Sequence, residues 1–389
     1  MVSFDNTEIA FQSKSNKDLK RAYWLFKIIA SPTFVKVGKF STNLALNIGL
    51  PIKRPVKATI FKQFCGGETI EECTPAINLL GKYHVGTILD YSVEGKTSDE
   101  DFDKTVEIII STIHRAKNDT HIPFAVFKVT GIARFDLLEK ASDKNYQITE
   151  KEQSEIQVII NRIDKIAKAA FDAKVPLFID AEETWIQDAI DAWTFEMMLK
   201  YNKEEAIVFN TLQMYRHDRL AFLKDCLKLA KEKNVHYGIK LVRGAYMEKE
   251  RERALKMGYP SPIQPSKLAT DSDYNAALEF IVQHAESFAL CAGSHNEDSS
   301  MILTKLLKQY GIASNDKRFY FAQLLGMSDH ISYNLAHEGY LVAKYVPFGP
   351  VKEVMPYLLR RADENTSVAG QTGRELSLIM KELQRRKLN

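Results

Sequence analysis

The sequence contains little of what marks the more specialised classes of protein. Its 389 residues include four cysteines, 18 glycines and 12 prolines, and no two cysteines form a C-x-x-C pair. A disulfide scaffold, a cysteine zinc site, a thioredoxin-like motif and a disordered or collagen-like chain are therefore excluded. We expect no metal site. Because scattered, unpaired cysteines are typical of a reducing compartment, we expect a cytoplasmic protein.

Long apolar runs and an excess of one charge are also lacking. Lys27, Lys36 and Lys39 interrupt the most apolar stretches before these reach the roughly 18 residues that a membrane-spanning helix needs. The 53 basic and 50 acidic residues nearly balance, so nucleic-acid binding is not expected. Basic segments at 20–27 and 385–387 leave peripheral contact with the inner face of a membrane open, although such faces are more often solvated or packing surfaces.

Eight short β-branched or aromatic runs alternate with longer helical stretches. They lie at 85–92, 123–130, 175–181, 206–213, 236–244, 287–293, 318–326 and 339–347. Eight strands close a (βα)8 barrel, and no run is followed by the G-x-G-x-x-G or Walker-type loop of the alternative, a doubly wound sheet. We predict an α/β protein with a distorted (βα)8 TIM-type barrel over 81–370. A helical region over 1–80, with apolar faces at 22–32 and 43–51, precedes it, and a C-terminal helix or tail over 371–389 follows.

Local signals support several of these helices. Thr149 and Glu152 form a capping box in front of a helical stripe of isoleucines. Gly311 follows a helical segment as a C-terminal glycine. Cys226 falls on an apolar helical stripe, which favours a place in the core.

Polar residues collect where the predicted strands end, which is where the active sites of such barrels lie. Lys240 is the most informative, because alternation puts Lys240 and Val242 on one face of its strand and Leu241 and Arg243 on the other. Either the second face points inward, or an anionic group or polar cofactor lies beside Lys240, since a buried ammonium needs a partner. Asp180 needs donors in turn, and Lys128 and Lys240 are candidates. The polar residues at the strand ends are Lys128, Asp180, Gln213, Lys240, His295 and Tyr345.

Two adjacent arginines follow the eighth strand. The apolar spacing from Val351 to Leu359 predicts a helix with Arg360 and Arg361 in its third turn and Glu364 one turn beyond. Two guanidinium groups could bind a carboxylate in a bidentate manner. They could equally form an exposed basic pair with an ion pair to Glu364. The spacing alone leaves both interpretations open.

Seven strings resemble the motif series of proline dehydrogenase, the FAD-dependent enzyme that oxidises L-proline to Δ1-pyrroline-5-carboxylate. Over 84–367, in order, they are FKVT, FIDAEET, LQMY, KLVRGAYMEKERERA, AGSHN, LLGM and KYVPFGPVKEVMPYLLRRADENTS. YLLRR followed by ENTS is the most specific of them. The resemblance implies hydride transfer to the flavin N5, a quinone-type electron acceptor and a separate pyrroline-5-carboxylate dehydrogenase that takes the product. We expect a monofunctional enzyme, without the second dehydrogenase and DNA-binding segments of bifunctional relatives.

The resemblance also implies roles for individual residues. The catalytic residues would be Asp180, Lys240 and Tyr345. The substrate would contact Arg360, Arg361 and Lys128 through its carboxylate, Tyr345 through its ring, and Leu324 and Tyr246 as the closing walls, with Glu364 orienting the arginines. The FAD-binding positions would be Ala181, Gln213, Lys240, Arg243, Gly244, Ala245, Lys267, Ser294, His295 and Asn296.

Two positions depart from many bacterial members of that family. Lys240 stands where those proteins have arginine, and Ser294 where they have threonine. A tyrosine at the position of Tyr345 is typical of members that prefer proline to 4-hydroxyproline. Two rival functions remain, namely a Schiff-base lyase with Lys240 as its nucleophile and a non-catalytic scaffold.

Overall fold

Eight parallel strands form a closed barrel in chain order. The computed structural model describes residues 2–29, 53–93, 97–367 and 371–388, without the side chains of 53, 55, 362–367 and 371–372. The strands are β1 (Val85–Tyr91), β2 (Phe124–Lys128), β3 (Leu177–Asp180), β4 (Val208–Gln213), β5 (Tyr237–Val242), β6 (Phe288–Gly293), β7 (Phe319–Leu324) and β8 (Val342–Phe348). Each overlaps one of the eight predicted runs, so the (βα)8 prediction is confirmed.

Helices alternate with the strands, and a helical region precedes β1, as predicted. Before β1, the described helices and helical turns are Thr7–Ala10, Asn16–Ile29, Lys53–Val56, Lys57–Phe61, Lys62–Phe64, Glu71–Cys73 and Thr74–Lys82. Between β1 and β5 they are Asp99–Ala116, Val129–Gly131, Phe135–Ser142, Glu150–Ala173, Thr184–Tyr201 and Arg219–Lys233. After β5 they are Met247–Met257, Lys267–Gln283, Glu297–Gln309, Asp329–His337, Met355–Ser367 and Gln371–Arg385.

The chain divides into two compact units. One comprises 95–322 and the other comprises 1–94 together with 323–389. The predicted boundaries near 80 and 370 stay a prediction. The predicted apolar segment at 43–51 lies outside the described residues.

An aromatic layer fills the interior of the unit 95–322. The Phe124 ring lies 4.4 Å from the Phe178 ring and 4.8 Å from the Tyr320 ring, centroid to centroid. Phe178 contacts Phe209 at 5.3 Å. Gly238 makes room for Phe209, because a β-carbon there would lie 2.5 Å from the phenyl ring. Since β2 and β7 are not neighbours in the barrel, rings that meet between them lie inside it. This layer, called the aromatic floor below, therefore lies directly beneath the residues that come next in β2, β3 and β5.

The local predictions in this unit are confirmed. The Thr149 hydroxyl accepts a hydrogen bond from the Glu152 amide at 3.3 Å, and the Glu152 carboxylate accepts one from the Thr149 amide at 3.0 Å. Cys226 is buried. Gly311 has φ +67°, a left-handed conformation that glycine adopts without strain.

The terminal helices pack on one another in the other unit. Ala10, Leu19 and Phe26 share a buried apolar cluster with Leu378 and Ile379 of the helix Gln371–Arg385. Arg386 binds Glu382 at 2.6 Å and the carbonyls of Lys14 and Phe11 at 2.8 and 2.9 Å. This arginine of the basic tail therefore packs within the protein. Among the described residues, no helix is both long and apolar enough to cross a membrane.

Candidate active site

Three charged side chains form a layer directly above the aromatic floor. In β3, Asp180 follows Phe178 by two residues and shares its face. The Asp180 carboxylate accepts from Lys240 Nζ at 2.5 Å through Oδ1 and from Lys128 Nζ at 3.1 Å through Oδ2. Lys240 and Asp180 are both 7% exposed, and the Lys240 ammonium lies 5.8 Å from the centre of the Phe178 ring. Lys240 therefore points inward with an anion beside it, and the prediction that Lys128 and Lys240 are the donors to Asp180 is confirmed.

The two lysines keep Asp180 ionised. Burial alone would raise the pKa of this carboxyl group, but the charges of Lys240 and then Lys128 outweigh burial and lower the pKa to about 2. At neutral pH Asp180 is therefore a fixed negative charge and a weak base.

Glu182, at the start of the loop after β3, is a second buried carboxyl group, and its pKa is raised where that of Asp180 is lowered. It accepts from the Thr130 amide at 3.0 Å and from the Thr130 hydroxyl at 2.5 Å. Burial raises its pKa to about 7, although both hydrogen bonds act in the other direction. Glu182 was not among the predicted site residues. The signal was present as the second carboxyl group of the string FIDAEET, two residues after Asp180.

Gln213 occupies the end of β4 and is 3% exposed. Its amide nitrogen donates to the Glu182 carbonyl at 3.1 Å. Its side-chain oxygen is buried and has no hydrogen-bond partner among the described residues. Such an acceptor is costly to bury unless a ligand N–H or O–H, or a water molecule, satisfies it.

Arg243, just after β5, is held in a fixed orientation. Its Nε donates to Asp271 at 2.7 Å, and its two terminal nitrogens donate to Ser294 and Ser299, each at 2.8 Å. Lys267 binds the other oxygen of Asp271 at 2.5 Å. A guanidinium group carries five N–H donors, so two have no acceptor among the described residues and could bind an anion. Sequence reasoning missed Asp271, although its position four residues after Lys267 on one helix is a recognisable signal.

The loop after β5 brings backbone close to this arginine. Gly244 has φ +131° and lies so near Tyr215 that a β-carbon would approach its ring to 2.5 Å. Gly244 and Ala245 are exposed, and Tyr246 is half-buried just before the helix Met247–Met257. Glycine is therefore required at position 244, and it leaves the backbone amides accessible.

The predicted residues after β6 cap the next helix. The Asn296 side chain accepts from the Ser299 amide at 2.9 Å at the start of the helix Glu297–Gln309. The Ser294 hydroxyl accepts from the Asn296 amide at 3.1 Å, and His295 between them is half-buried. A helix N-terminus next to Arg243 is a favourable setting for phosphate oxygens.

These groups fit the FAD that the resemblance implies. An unpartnered buried acceptor, an arginine with donors to spare, an accessible glycine backbone and a helix N-terminus are what a large ligand with a polar ring and a pyrophosphate requires. Of the other predicted positions, Ala181 is buried after β3 and Lys267 is exposed. Among the described residues, no cluster of histidine, cysteine and carboxylate groups could hold a metal ion.

The arginine pair lies in the unit formed by 1–94 and 323–389. The last barrel helix begins at Met355, not Val351, so the prediction of a third turn is wrong and both arginines lie in the second. The reason is Pro356, which lacks an N–H and fits only in the first turn of a helix. Arg361 is 8% exposed, with its guanidinium 5.1 Å from the centre of the Tyr357 ring. It is not an exposed basic residue, and the side chain of Glu364 lies outside the described residues.

Tyr345 and Leu324 belong to the same unit. Tyr345 lies in the middle of β8 and is 7% exposed, and Leu324 ends β7 and is half-buried. The Leu325 amide donates to the Tyr345 carbonyl at 2.8 Å. The structure therefore ties the turn after Leu324 to the strand that carries Tyr345.

Comparison with known proteins agrees with the resemblance found in the sequence motifs. A family model described as proline dehydrogenase matches residues 73–374. The chain is 35% identical to proline dehydrogenase 1, mitochondrial, of Dictyostelium discoideum, over 98% of this chain and 74% of that protein. It is 29% identical to hydroxyproline dehydrogenase of Xenopus laevis, over 97% of this chain and 89% of that protein. The word mitochondrial in the Dictyostelium name does not fit a purely cytoplasmic location.

A solved structure with a similar fold is proline utilization A (PutA) from Bdellovibrio bacteriovorus, inactivated by N-propargylglycine. The TM-score is 0.74 at 18% identity, over 93% of this chain and 38% of that one. At this level of identity the likeness concerns the fold.

Proposed function

The chain belongs to the proline dehydrogenase family, and from that premise we propose that it oxidises L-proline to Δ1-pyrroline-5-carboxylate with bound FAD. The reaction makes the bond between the ring nitrogen and C5 double, so C5 loses a hydride and the nitrogen loses a proton. FAD supplies the two-electron acceptor that side chains lack. The observation that carries the proposal is the layer of Lys128, Asp180 and Lys240 at the C-terminal ends of β2, β3 and β5, in which Asp180 and Lys240 are buried and Lys128 is half-buried.

The proposed part of Asp180 is electrostatic. With a pKa lowered to about 2 by Lys240 and Lys128 against the effect of burial, it cannot hold a proton at neutral pH. It can hold both lysine side chains in place through hydrogen bonds. Lys128, 24% exposed at its side chain, is the proposed ammonium partner of the proline carboxylate. Arg360 and Arg361 are the proposed bidentate partners of the same carboxylate, with Glu364 as their orienting group.

We assign the cofactor to the Gln213 and Arg243 region. Gln213 and Lys240 would bind the ring system of FAD, and Arg243 its phosphates. The backbone and side chains that would complete the site are Ala181, Gly244, Ala245, Lys267, Ser294, His295 and Asn296. The Gln213 side-chain oxygen and two N–H donors of Arg243, which have no partner in the described part of the chain, support this assignment.

The absorption spectrum of the purified protein tests the proposal. We expect a flavin spectrum that anaerobic proline bleaches, and that a soluble quinone analogue restores while NAD⁺ does not. A colourless protein that FAD cannot reconstitute would contradict the proposal. Borohydride trapping of substrate on Lys240 would favour the Schiff-base lyase instead. That rival needs the Lys240 nitrogen as its nucleophile, whereas this nitrogen is engaged with Asp180 Oδ1 at 2.5 Å.

The proposed partners are a quinone acceptor, a separate pyrroline-5-carboxylate dehydrogenase that consumes the product, and a membrane surface. Support for the membrane contact is limited to the helix Asn16–Ile29. There Trp24 is 58% and Ile28 50% exposed, and the Lys27 ammonium lies 5.0 Å from the Trp24 ring. Aromatic and basic side chains of this kind suit the interface of an anionic bilayer.

We propose that the Tyr345 side chain excludes substrates that carry a hydroxyl group on the proline ring. A hydrophobic pocket alone rejects an added hydroxyl by only about 100-fold, so steric contact with the phenol ring has to contribute. We expect Tyr345→Ser to lose activity with proline and to bring the specificity constants for proline and 4-hydroxyproline closer together. Tyr345→Phe is the matched control, because it retains the ring. An unchanged ratio in Tyr345→Ser would show that the side chain does not contact the substrate ring.

A further inference from the structure

The turn between β7 and the helix Asp329–His337 is held by side chains from other segments. Lys344 Nζ donates to the Leu324 carbonyl at 3.3 Å and also to the Met327 carbonyl. Gln63 donates to the Gly326 carbonyl at 2.9 Å. Each of these three carbonyls therefore has a donor from far away in the sequence.

The amides of the same turn are also held. The Leu325 amide donates to the Tyr345 carbonyl at 2.8 Å, and the Ser328 amide donates to Glu375 Oε2 at 3.1 Å. Glu375 belongs to the C-terminal helix and is buried. The path of the turn is thus determined from β8 and from the C-terminal helix.

The backbone of this turn adopts conformations that are otherwise unfavourable. Gly326 has φ +76°, and a β-carbon there would lie 2.1 Å from the Gln63 carbonyl oxygen. Ser328 has φ +50° without being glycine. Such conformations persist where the surroundings over-determine them, and they occur preferentially at functional sites.

Lys344 is the residue that joins the turn to β8. It is 0% exposed, and its charge is balanced by Asp329 Oδ1 at 3.0 Å, while Asp329 Oδ2 binds Lys14 at 2.9 Å. Burial lowers the pKa of Lys344, although Asp329 acts in the opposite direction. An apolar residue would often be as stabilising at such a position. The buried ammonium is therefore better explained by the carbonyls it holds in place than by stability.

Lys344 is also the immediate neighbour of Tyr345. Adjacent residues of a strand point to opposite faces, so the two side chains lie on opposite sides of β8. Lys344 binds the turn that follows Leu324, and that turn binds the Tyr345 backbone.

We propose that Lys344 is a positioning residue for substrate choice. With its counterion Asp329 it fixes the turn after β7, and through that turn it sets the positions of Leu324 and Tyr345. The proposal rests on the function proposed above, in which these two residues form the walls around the proline ring. It adds a determinant of specificity that has no contact with the substrate.

The test compares Lys344→Met with wild type in two measurements. The first is hydrogen–deuterium exchange of the peptide over 323–329, where we expect the Leu325 and Ser328 amides to exchange at least roughly tenfold faster. The second is the ratio of the specificity constants for proline and 4-hydroxyproline, which we expect to fall roughly tenfold with FAD still bound. Faster exchange with an unchanged ratio, or unchanged exchange, would overturn the proposal.

Lys14→Met is the matched control. Lys14 binds the same Asp329 but none of the carbonyls of the turn, so this variant is expected to keep both the wild-type exchange rate and the wild-type ratio. If Lys14→Met lowers the ratio as Lys344→Met does, the ratio depends on the charge balance at Asp329 and not on the hydrogen bonds from Lys344 to the turn. The proposal would then be wrong.

If Lys344→Met does not fold, the double variant Lys344→Met/Asp329→Asn replaces it in both measurements. This double variant leaves no unpaired buried carboxylate, and the same two outcomes apply to it. A wild-type protein that oxidises neither substrate would contradict the proposed function. Wild-type turnover with an unchanged ratio in the variants would contradict only the role of Lys344.

Discussion

Replacing Arg361 by methionine is expected to lower kcat/KM for proline by about 10- to 150-fold, because a charged hydrogen-bond partner contributes about 1.5–3 kcal/mol. Arg360→Met is expected to act in the same range. Methionine approximates the length of the arginine stem, so the change removes the guanidinium while retaining much of the packing. FAD content should be unchanged, since neither arginine is assigned to the cofactor. Steady-state kinetics and the flavin spectrum of each variant are the measurements.

The kinetic pattern separates binding from general damage. Loss of a contact that holds substrate and transition state equally raises KM and leaves kcat unchanged. The control is Arg134→Met, which removes an exposed arginine paired with Glu155 at 2.9 Å. Surface ion pairs of this kind contribute about 0–1 kcal/mol, so this variant should behave as wild type. Normal proline use by both Arg360→Met and Arg361→Met would leave the arginines without a role in substrate binding.

Asp180→Asn is expected to destabilise the protein by about 3–5 kcal/mol, because it leaves the buried ammonium of Lys240 without its counterion. The same change should abolish proline oxidation, since Lys128 loses its anchor too. Urea unfolding, followed by far-UV circular dichroism, gives the free energy of unfolding. Asp180→Asn/Lys240→Met is the matched double variant and should recover part of the stability without recovering activity. If Asp180→Asn is as stable as wild type, the Asp180 carboxylate does not stabilise the protein as the counterion of Lys240.

The pH dependence of stability gives a second measure of the same carboxylate. The pKa of Asp180 in the folded protein, about 2, lies below its ordinary value of 3.8. Its contribution to stability is therefore complete above about pH 4 and is lost as the pH falls through about 2. Wild type should lose stability across this range more steeply than Asp180→Asn. Equal slopes would mean that the carboxylate has no favourable partner in the folded state.

The strands could be predicted from the sequence because each is a short apolar run between helical stretches. The position of Lys240 inside such a run, with Asp180 at the end of another, was also enough to predict their ion pair. The last helix shows a signal that was present and not used. Pro356 already indicated a start near Met355.

Which residues bind one another in other parts of the site could not be derived from local pattern. Glu182 binds Thr130 and Arg243 binds Asp271, and nothing in the spacing of these residues identifies the partner. Lys344 illustrates the same limit. It is a lysine inside an apolar run, as Lys240 is, but its counterion comes from the neighbouring helix, whose register against β8 the sequence does not specify.

The division into two units has a consequence for synthesis on the ribosome. The ribosome synthesises all of 95–322 before residues 323–389 of the other unit. Val85 of β1 can therefore pair with Val342 of β8 only after translation has passed residue 342. Domains that form from contiguous sequence can fold as they emerge, whereas exposed strand edges promote aggregation. The segment 95–322 can therefore begin to fold during translation, while the edge of β1 that pairs with β8 stays open until β8 has been synthesised.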